Sequence, residues 1–330
     1  MRNCSQINIS INTLLSNNES GIMMEDSYNN TLDKNNASYS VMYNGIGIQN
    51  CRDSVISNNI AFSNNHNGIA MRYCSYFNIS GNLLFLNIYN GIWMGDSSDN
   101  VLTKNTLHSN RERGILLDNT STTTIIDNNA SYNGRGGILL VSGSRDNLII
   151  DNVASNNSEF GIDLSHISTD NNQIYNNTAN RNKIGINLNY SNGNIITGNT
   201  VNENDNGIQL YKSSNNLIYN NYFDNTNNTR DDGTNIWDIT KTLGTNIIGG
   251  PYLGGNYWSD YTGFDDDGDR LGDTPYDIPG GTNKDYLPLV QVQLGICGDA
   301  NGDGNVDFLG DVIGVARHYM YGDPPDCCPS

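Results

Sequence analysis

The chain has 330 residues and a formal charge of −18, from 17 Lys+Arg against 35 Asp+Glu, with a pI near 4.3. So acidic a chain lacks the basic face that a nucleic acid or an anionic membrane requires for counterion release. No run of 18 apolar residues is present to span a bilayer as a helix.

Only 36% of residues are hydrophobic, yet 58 are Asn; 52 of these precede residue 229, whereas 18 of the 35 acidic residues lie in 224–330. The chain therefore changes character near residue 229. Met1 is followed by RNCSQINIS, which lacks the basic, apolar, small-residue order of a signal peptide and resembles YCSYFNIS at 73–80. The chain opens inside a repeat, so an export signal is expected upstream of it.

A Gly-Ile pair then recurs at Gly21, Gly45, Gly68, Gly91, Gly114, Gly137, Gly161, Gly185 and Gly207, at intervals of 22 to 24 residues. An Asn column keeps step with it at Asn12, Asn35, Asn58, Asn82, Asn105, Asn128, Asn152, Asn176, Asn199 and Asn221. Two columns drifting together define a solenoid. Each period holds three short β-type runs separated by Asn, Ser and Gly. The first and third residues after each Gly are apolar (Ile92 and Met94, Ile115 and Leu117), which puts them on one face. A second inward column precedes the Asn (Leu32, Val55, Ile79, Leu102), and a third follows it (Leu14, Ile60, Leu84, Leu107). The expected fold is all-β: a right-handed, single-stranded parallel β-helix of about ten coils over residues 1–228. The Asn column supplies residues that tolerate left-handed corners, and their amides stack into a ladder at about 4.8 Å per coil.

Residues 229–294 carry Trp237, Tyr252, Tyr257, Trp258, Tyr261 and Phe264, the aromatic material of a cap over the last coil. Within them FDDDGDRLGD sets Asp265, Asp267, Asp269 and Asp273 at positions 1, 3, 5 and 9 of a calcium-type loop, or of a solvated acidic turn. Residues 295–330 form a third, small α-helical module. Its loop offers Asp299, Asn301, Asp303, Asn305 and Asp307, with Gly304 at the sharp bend. Gly310 stands where a closing acid belongs, with Asp311 one residue later, and Val312, Val315, Ala316 and Tyr319 make an apolar helical stripe. Ca²⁺ is the cofactor these loops imply. Cys51 and Cys74 sit 23 apart on stacked coils, as buried ladder substitutes. Cys297, Cys327 and Cys328 flank the last module, where one bridge would staple it in an oxidising compartment.

Two places on the coils invite chemistry. The residue before the Asn ladder reads Lys104, Asp127, Asp151 and Tyr175. Stacking sets Asp127 and Asp151 about 5 Å apart, the carboxylate separation of retaining glycosidases, although it does so for any repeated acid. The outward position between the two core residues reads Met23, Gly47, Ala70, Trp93, Leu116, Leu139, then Asp163, Asn187 and Gln209, with Val141 adding to it and Arg72 and Asp118 at its border. Exposed contiguous apolar surface marks either a ligand face or one covered by other sequence.

The pattern N-x-I-x-x-N…N-G-I-x-L-x-x-S resembles the NosD-type β-helix repeats, part of a wider group of carbohydrate-binding proteins and sugar hydrolases, over about residues 3–228. NIIGGPYLGGNYWSDYTGFDDDGDRLGDTPYDI with DYLPL is similar to the tail of archaeal NosD-like surface proteins, and 296–330 resembles one repeat of a dockerin. These resemblances imply an extracellular surface protein that binds carbohydrate or protein and docks to a cohesin-type partner. A polysaccharide lyase, hydrolase or epimerase is the alternative. Copper, implied by the NosD name, finds no shared column among His66, His108, His166 and His318.

Overall fold

A computed structural model describes residues 1–291 of the chain. The terminal loop from Asp299 to Asp311 and Cys297, Cys327 and Cys328 lie outside the described residues.

The architecture is a parallel β-solenoid with three faces, and among the described residues there is no helix. The first, or front, face is a ten-stranded sheet running from Ile22–Glu25 to Asn227–Asp231. A second ten-stranded sheet runs from Asn8–Ser10 to Leu217–Tyr219. The third face begins as five strands, Thr13–Leu15 to Thr106–His108. It continues through single bridges Thr106–Asn129–Val153–Thr178–Thr200. Register is strictly coil over coil: Ile92 pairs with Ile69 and Ile115, and Ile79 with Ile56 and Leu102. The core is built of buried apolar files, because each coil turns two residues inward from its front-face strand and one from each three-residue strand, where a polar residue would be stranded.

Four expected positions shift by one. The inward residues of the third coil are Ile56 and Ala61, not Val55 and Ile60, which is 37% exposed. The ladder runs through Asn59 and Asn177 rather than Asn58 and Asn176. The left-handed conformation also belongs to a different residue. It falls on the one before the ladder, Lys34, Asn58, Lys104, Asp127, Asp151 and Asn176, each with φ between 53° and 55°. Tyr175 therefore leaves the corner column and sits in a strand instead.

The ladder Asn earns its place by saturation. Asn128 Oδ1 accepts the backbone N–H (3.0 Å) and the Nδ2 (2.9 Å) of Asn105, while its own Nδ2 donates to Leu102 O and Ile126 O. Similar ladders line other corners: Asn64–Asn87–Asn110–Asn133–Asn157 after the third face, and Asn147–Asn172–Asn194–Asn216–Asn235 before the second. Ser, Thr and Cys do the same work after the front face. Cys74 N–H donates to Ser97 Oγ, and its Sγ–H donates to Arg72 O. Burial pushes the Cys74 thiol up to about 12, so it is inert as a nucleophile.

Residues 229–290 complete the last coil in pieces. Asn256 extends the ladder from Asn221, Tyr257–Trp258 pairs with Tyr222–Asp224, and Trp258 stacks on Phe223 at 4.8 Å. Trp237 and Trp258 are fully buried over the core end, whereas Phe264 is 72% exposed and takes no part. Two carboxylates tie this closure. Asp231 accepts from Trp237 Nε1, Asn235, Asn283 and Gly233 N–H, and Asp285 accepts from Trp258 Nε1, Asn256 and Leu287.

Candidate functional site

The outward column of the front face is real as a register. Met23 pairs with Gly47, Gly47 with Ala70, Ala70 with Trp93, Trp93 with Leu116, and Leu116 with Leu139. The file then continues to Asp163, Asn187, Gln209 and Arg230. The file is not the contiguous exposed surface expected from spacing: Ala70, Leu139 and Val141 are buried, Trp93 and Leu116 are half-buried, and Met23 is 37% exposed, because the side chains lie flat against the sheet. A Cβ on Gly95 would sit 2.6 Å from Trp93 Cζ2, so the six-membered ring of the indole lies over Gly95. Met23 Sδ lies over Gly47 in the same way, at 2.7 Å from a Cβ placed there. Trp237 and Trp258 being buried, Trp93 is the accessible tryptophan among the described residues.

At the polar end, Asp163 is only 6% exposed although it points away from the core. Ser165 Oγ–H donates to Asp163 Oδ1, and Asn187 Nδ2 donates to the same oxygen at 2.8 Å. Burial pushes its carboxyl above the ordinary range, opposed by those two hydrogen bonds and by the charges of Arg113 and His166. Two coils before Asp163, the Arg113 stem runs beside its register partner Gly136, where a Cβ would meet its Cγ at 3.9 Å. Burial lowers the Arg113 pKa, with Glu112 (3.2 Å) opposing that shift, and Arg135 bridges Glu112 at 3.1 Å. The coil carrying Asp163 is long, 25 residues from Asn152 to Asn177. It contains a loop after Ser165 in which His166 and Ser168 have positive φ.

The corner column behaves differently. Lys104, Asp127 and Asp151 follow one another coil by coil, each N–H donating to the strand above (Ile126, Ile150 and Tyr175 O), and all three side chains are exposed. Their left-handed φ values make them corner residues first.

Residues 137–263 match the family described as "Periplasmic copper-binding protein (NosD)", and residues 1–154 match "Right handed beta helix region". This chain is a right-handed parallel β-helix repeat protein. No curated protein matches this β-helix. Solved structures similar to it include the enzymatically active domain of bacteriophage CBA120 tailspike protein 2 (15% identity, 66% of this chain and 41% of that one, TM-score 0.54). Others are the periplasmic alginate epimerase AlgG (16%, 61% of each chain, TM-score 0.44) and the A-module of a mannuronan C-5 epimerase from Azotobacter vinelandii (14%, 74% and 72%, TM-score 0.41). The likeness is one of fold alone.

Metal ligation in this β-helix has one convergent group among the described residues. Ligand oxygens of Asp265, Asp267 and Asp269 lie within 4.8 Å of one another, an all-oxygen set that suits a hard cation rather than copper. Those carboxylates also serve their own loop: Asp265 accepts N–H groups of Gly268, Asp269 and Arg270, and Lys241 Nζ meets Asp269 Oδ2. Asp273 turns to the Asp266 N–H. His66 stacks on Tyr89 and His108 on Phe85, on separate columns.

Proposed function

We propose that this β-helix is an extracellular protein that binds a polysaccharide along its front face and is attached through its calcium-loaded terminal module to a cohesin-type partner. The observation that carries this reading is Trp93 laid over Gly95, in one file with Leu116, Leu139 and the Asp163–Ser165–Asn187 cluster. An indole ledge offers a sugar ring apolar contact, and the hydrogen-bonded polar cluster three coils along the same file offers hydroxyl groups polar partners. The test is affinity electrophoresis of the full chain in gels containing neutral or uronate polysaccharides. Trp93→Ala is expected to weaken retardation at least tenfold without changing the melting temperature. Retardation that survives Trp93→Ala, or none in the unmutated chain, contradicts the reading.

The carboxyl of Asp163, buried on the front face and held by Ser165 and Asn187, favours a second reading, a polysaccharide lyase, hydrolase or epimerase. It predicts new reducing ends, unsaturated uronates or altered uronate stereochemistry, lost in Asp163→Asn while binding is kept. The corner residues Asp127, Asp151 and Lys104 are the other candidates. Loss of turnover in Asp151→Asn, rather than in Asp163→Asn, would move the chemistry to that corner.

Calcium belongs to the same proposal. Calorimetry of the full chain is expected to show Ca²⁺ binding, with one component removed by Asp299→Ala plus Asp303→Ala and another by Asp265→Ala plus Asp267→Ala. Asn301, Asn305, Asp307 and Asp311 complete the first set, Asp269 and Asp273 the second. A chain that takes up no Ca²⁺ ends the docking half of the proposal.

A further inference from the structure

The corner between the front and second faces carries a cleft of about 330 Å³, lined by Asp26, Tyr28, Asn50, Arg52, Tyr73 and Ser75, with the buried Ser27 and Cys51 beneath. It lies off the Trp93 file and spans three coils. Asp26, Asn50 and Tyr73 follow one another in one column of left-handed corner residues, with φ of 48°, 53° and 55°. Tyr28, Arg52 and Ser75 are bridged coil to coil in the next column. The depression is left open because Asn50 is small and Arg52 is drawn aside onto Asp53 (2.8 Å) and over the Tyr28 ring (5.3 Å).

We infer that this cleft is a glycan site separate from the front face, taking one residue of a neutral hexose polymer. Arg52 covers one face of the Tyr28 ring and Arg72 one face of the Tyr73 ring (4.8 Å), so the tyrosines offer a pyranose their other ring faces and their polar tips. No hydrogen bond among the described residues uses the hydroxyl of Tyr28 or Tyr73, the Ser75 Oγ or the Asn50 Oδ1, so these polar atoms remain open to a ligand. Asp26 is fixed by Asn50 Nδ2 (2.7 Å) and Arg2 (2.9 Å), bonds that hold its carboxyl below the ordinary range, leaving an ionised acceptor for sugar hydroxyls. That anion, in a chain of net charge −18, disfavours a uronate, and the guanidinium of Arg52 is already paired with Asp53. The site stands independently of the Trp93 reading, and the variants below separate the two.

Calorimetry of the full chain with cellopentaose, maltopentaose, mannopentaose and pentagalacturonate tests it. At least one neutral pentamer is expected to bind, at least tenfold more weakly in Tyr73→Ala and in Tyr28→Ala. Tyr73→Ala and Tyr28→Ala keep the Trp93-dependent retardation in uronate gels, which separates the two sites. Tyr73 and Tyr28 are 52% and 49% exposed, so their loss should spare the fold. Ser75→Arg, in a column that already carries Arg52 and Arg145, fills the cleft without removing a wall. It is expected to abolish binding. Failure of all three neutral pentamers to bind, binding of pentagalacturonate alone, or unchanged affinity in both Tyr73→Ala and Ser75→Arg overturns the inference.

Discussion

Asn105→Ala is expected to cost about 3–5 kcal/mol in guanidinium unfolding, far above the roughly 1 kcal/mol of an average substitution. Asn105 is 1% exposed and serves two neighbours at once. Its Oδ1 takes the N–H and Nδ2 of Asn82 (3.0 and 2.9 Å), and its Nδ2 donates to Ile79 O (2.8 Å) and Asn128 Oδ1 (2.9 Å). Truncation takes the partner from the Asn82 N–H, one Asn82 Nδ2 hydrogen and the Ile79 carbonyl in a dry interior, each worth about 1–3 kcal/mol unpaired, while Asn128 Oδ1 keeps the backbone N–H of residue 105 and relaxation recovers part. Asn105→Asp fares no better, since it removes the donors and buries a charge. Asn65→Ala, at an exposed corner position, is the control and should stay within about 0.5 kcal/mol. A cost below about 1 kcal/mol for Asn105→Ala, by the same measurement, would mean that the ladder is decoration.

The second large effect lies in the cap. A Cβ on Gly255 would stand 1.7 Å from Asp285 Oδ1, and Asp285 cannot yield because Asn256, Trp258 and Leu287 hold it. Gly255→Ala should therefore open the cap, exposing Trp258 to quenching and costing several kcal/mol, on the order of the largest single-site effects. The same carboxyl makes the cap pH-sensitive. Burial raises Asp285 from 3.8 to about 7, against the hydrogen bonds from Asn256, Trp258 and Leu287. The folded state thus binds the proton more tightly than the unfolded chain. Its contribution is fully present below about pH 4, declines as pH rises to 7, and is flat above. At 1.36 kcal/mol per pKa unit this amounts to roughly 4 kcal/mol at most. Thermal melts at pH 5 and pH 8 should differ in that sense, and Asp285→Asn should flatten the difference. The buried Asp163 adds a slope of the same sign, which Asp285→Asn leaves in place. A melting temperature that rises from pH 5 to pH 8 would contradict this.

The repeat was legible because stacking forces like residues into columns, so the period, the three inward files and the outward Trp93 file could all be read from spacing. Register was lost where the sequence offers two equivalent neighbours. Asn58-Asn59 and Asn176-Asn177 each present one Asn for the left-handed corner and one for the ladder, while Val55-Ile56 and Ile60-Ala61 present two apolar residues for one inward slot. The other ladders were harder to see because Ser, Thr and Cys interrupt them, as in Thr120, Ser144, Ser191 and Ser213. Asp163 was visible as the point where an apolar file turns polar, but alternation marks it as exposed, and its burial depends on neighbours two coils away. The clearest unread signal was Gly95, a glycine in a column of Arg72, Asp118 and Val141, which clears the ledge on which Trp93 rests.

Acrylamide quenching of tryptophan emission tests the glycan-face claim most directly. With Trp237 and Trp258 fully buried, collisional quenching reports mainly on Trp93. A polysaccharide that retards the protein in affinity gels should lower the quenching constant saturably, to the value shown by Trp93→Phe without glycan. A retarding polysaccharide that leaves the quenching of Trp93 unchanged would place the glycan elsewhere on the rod.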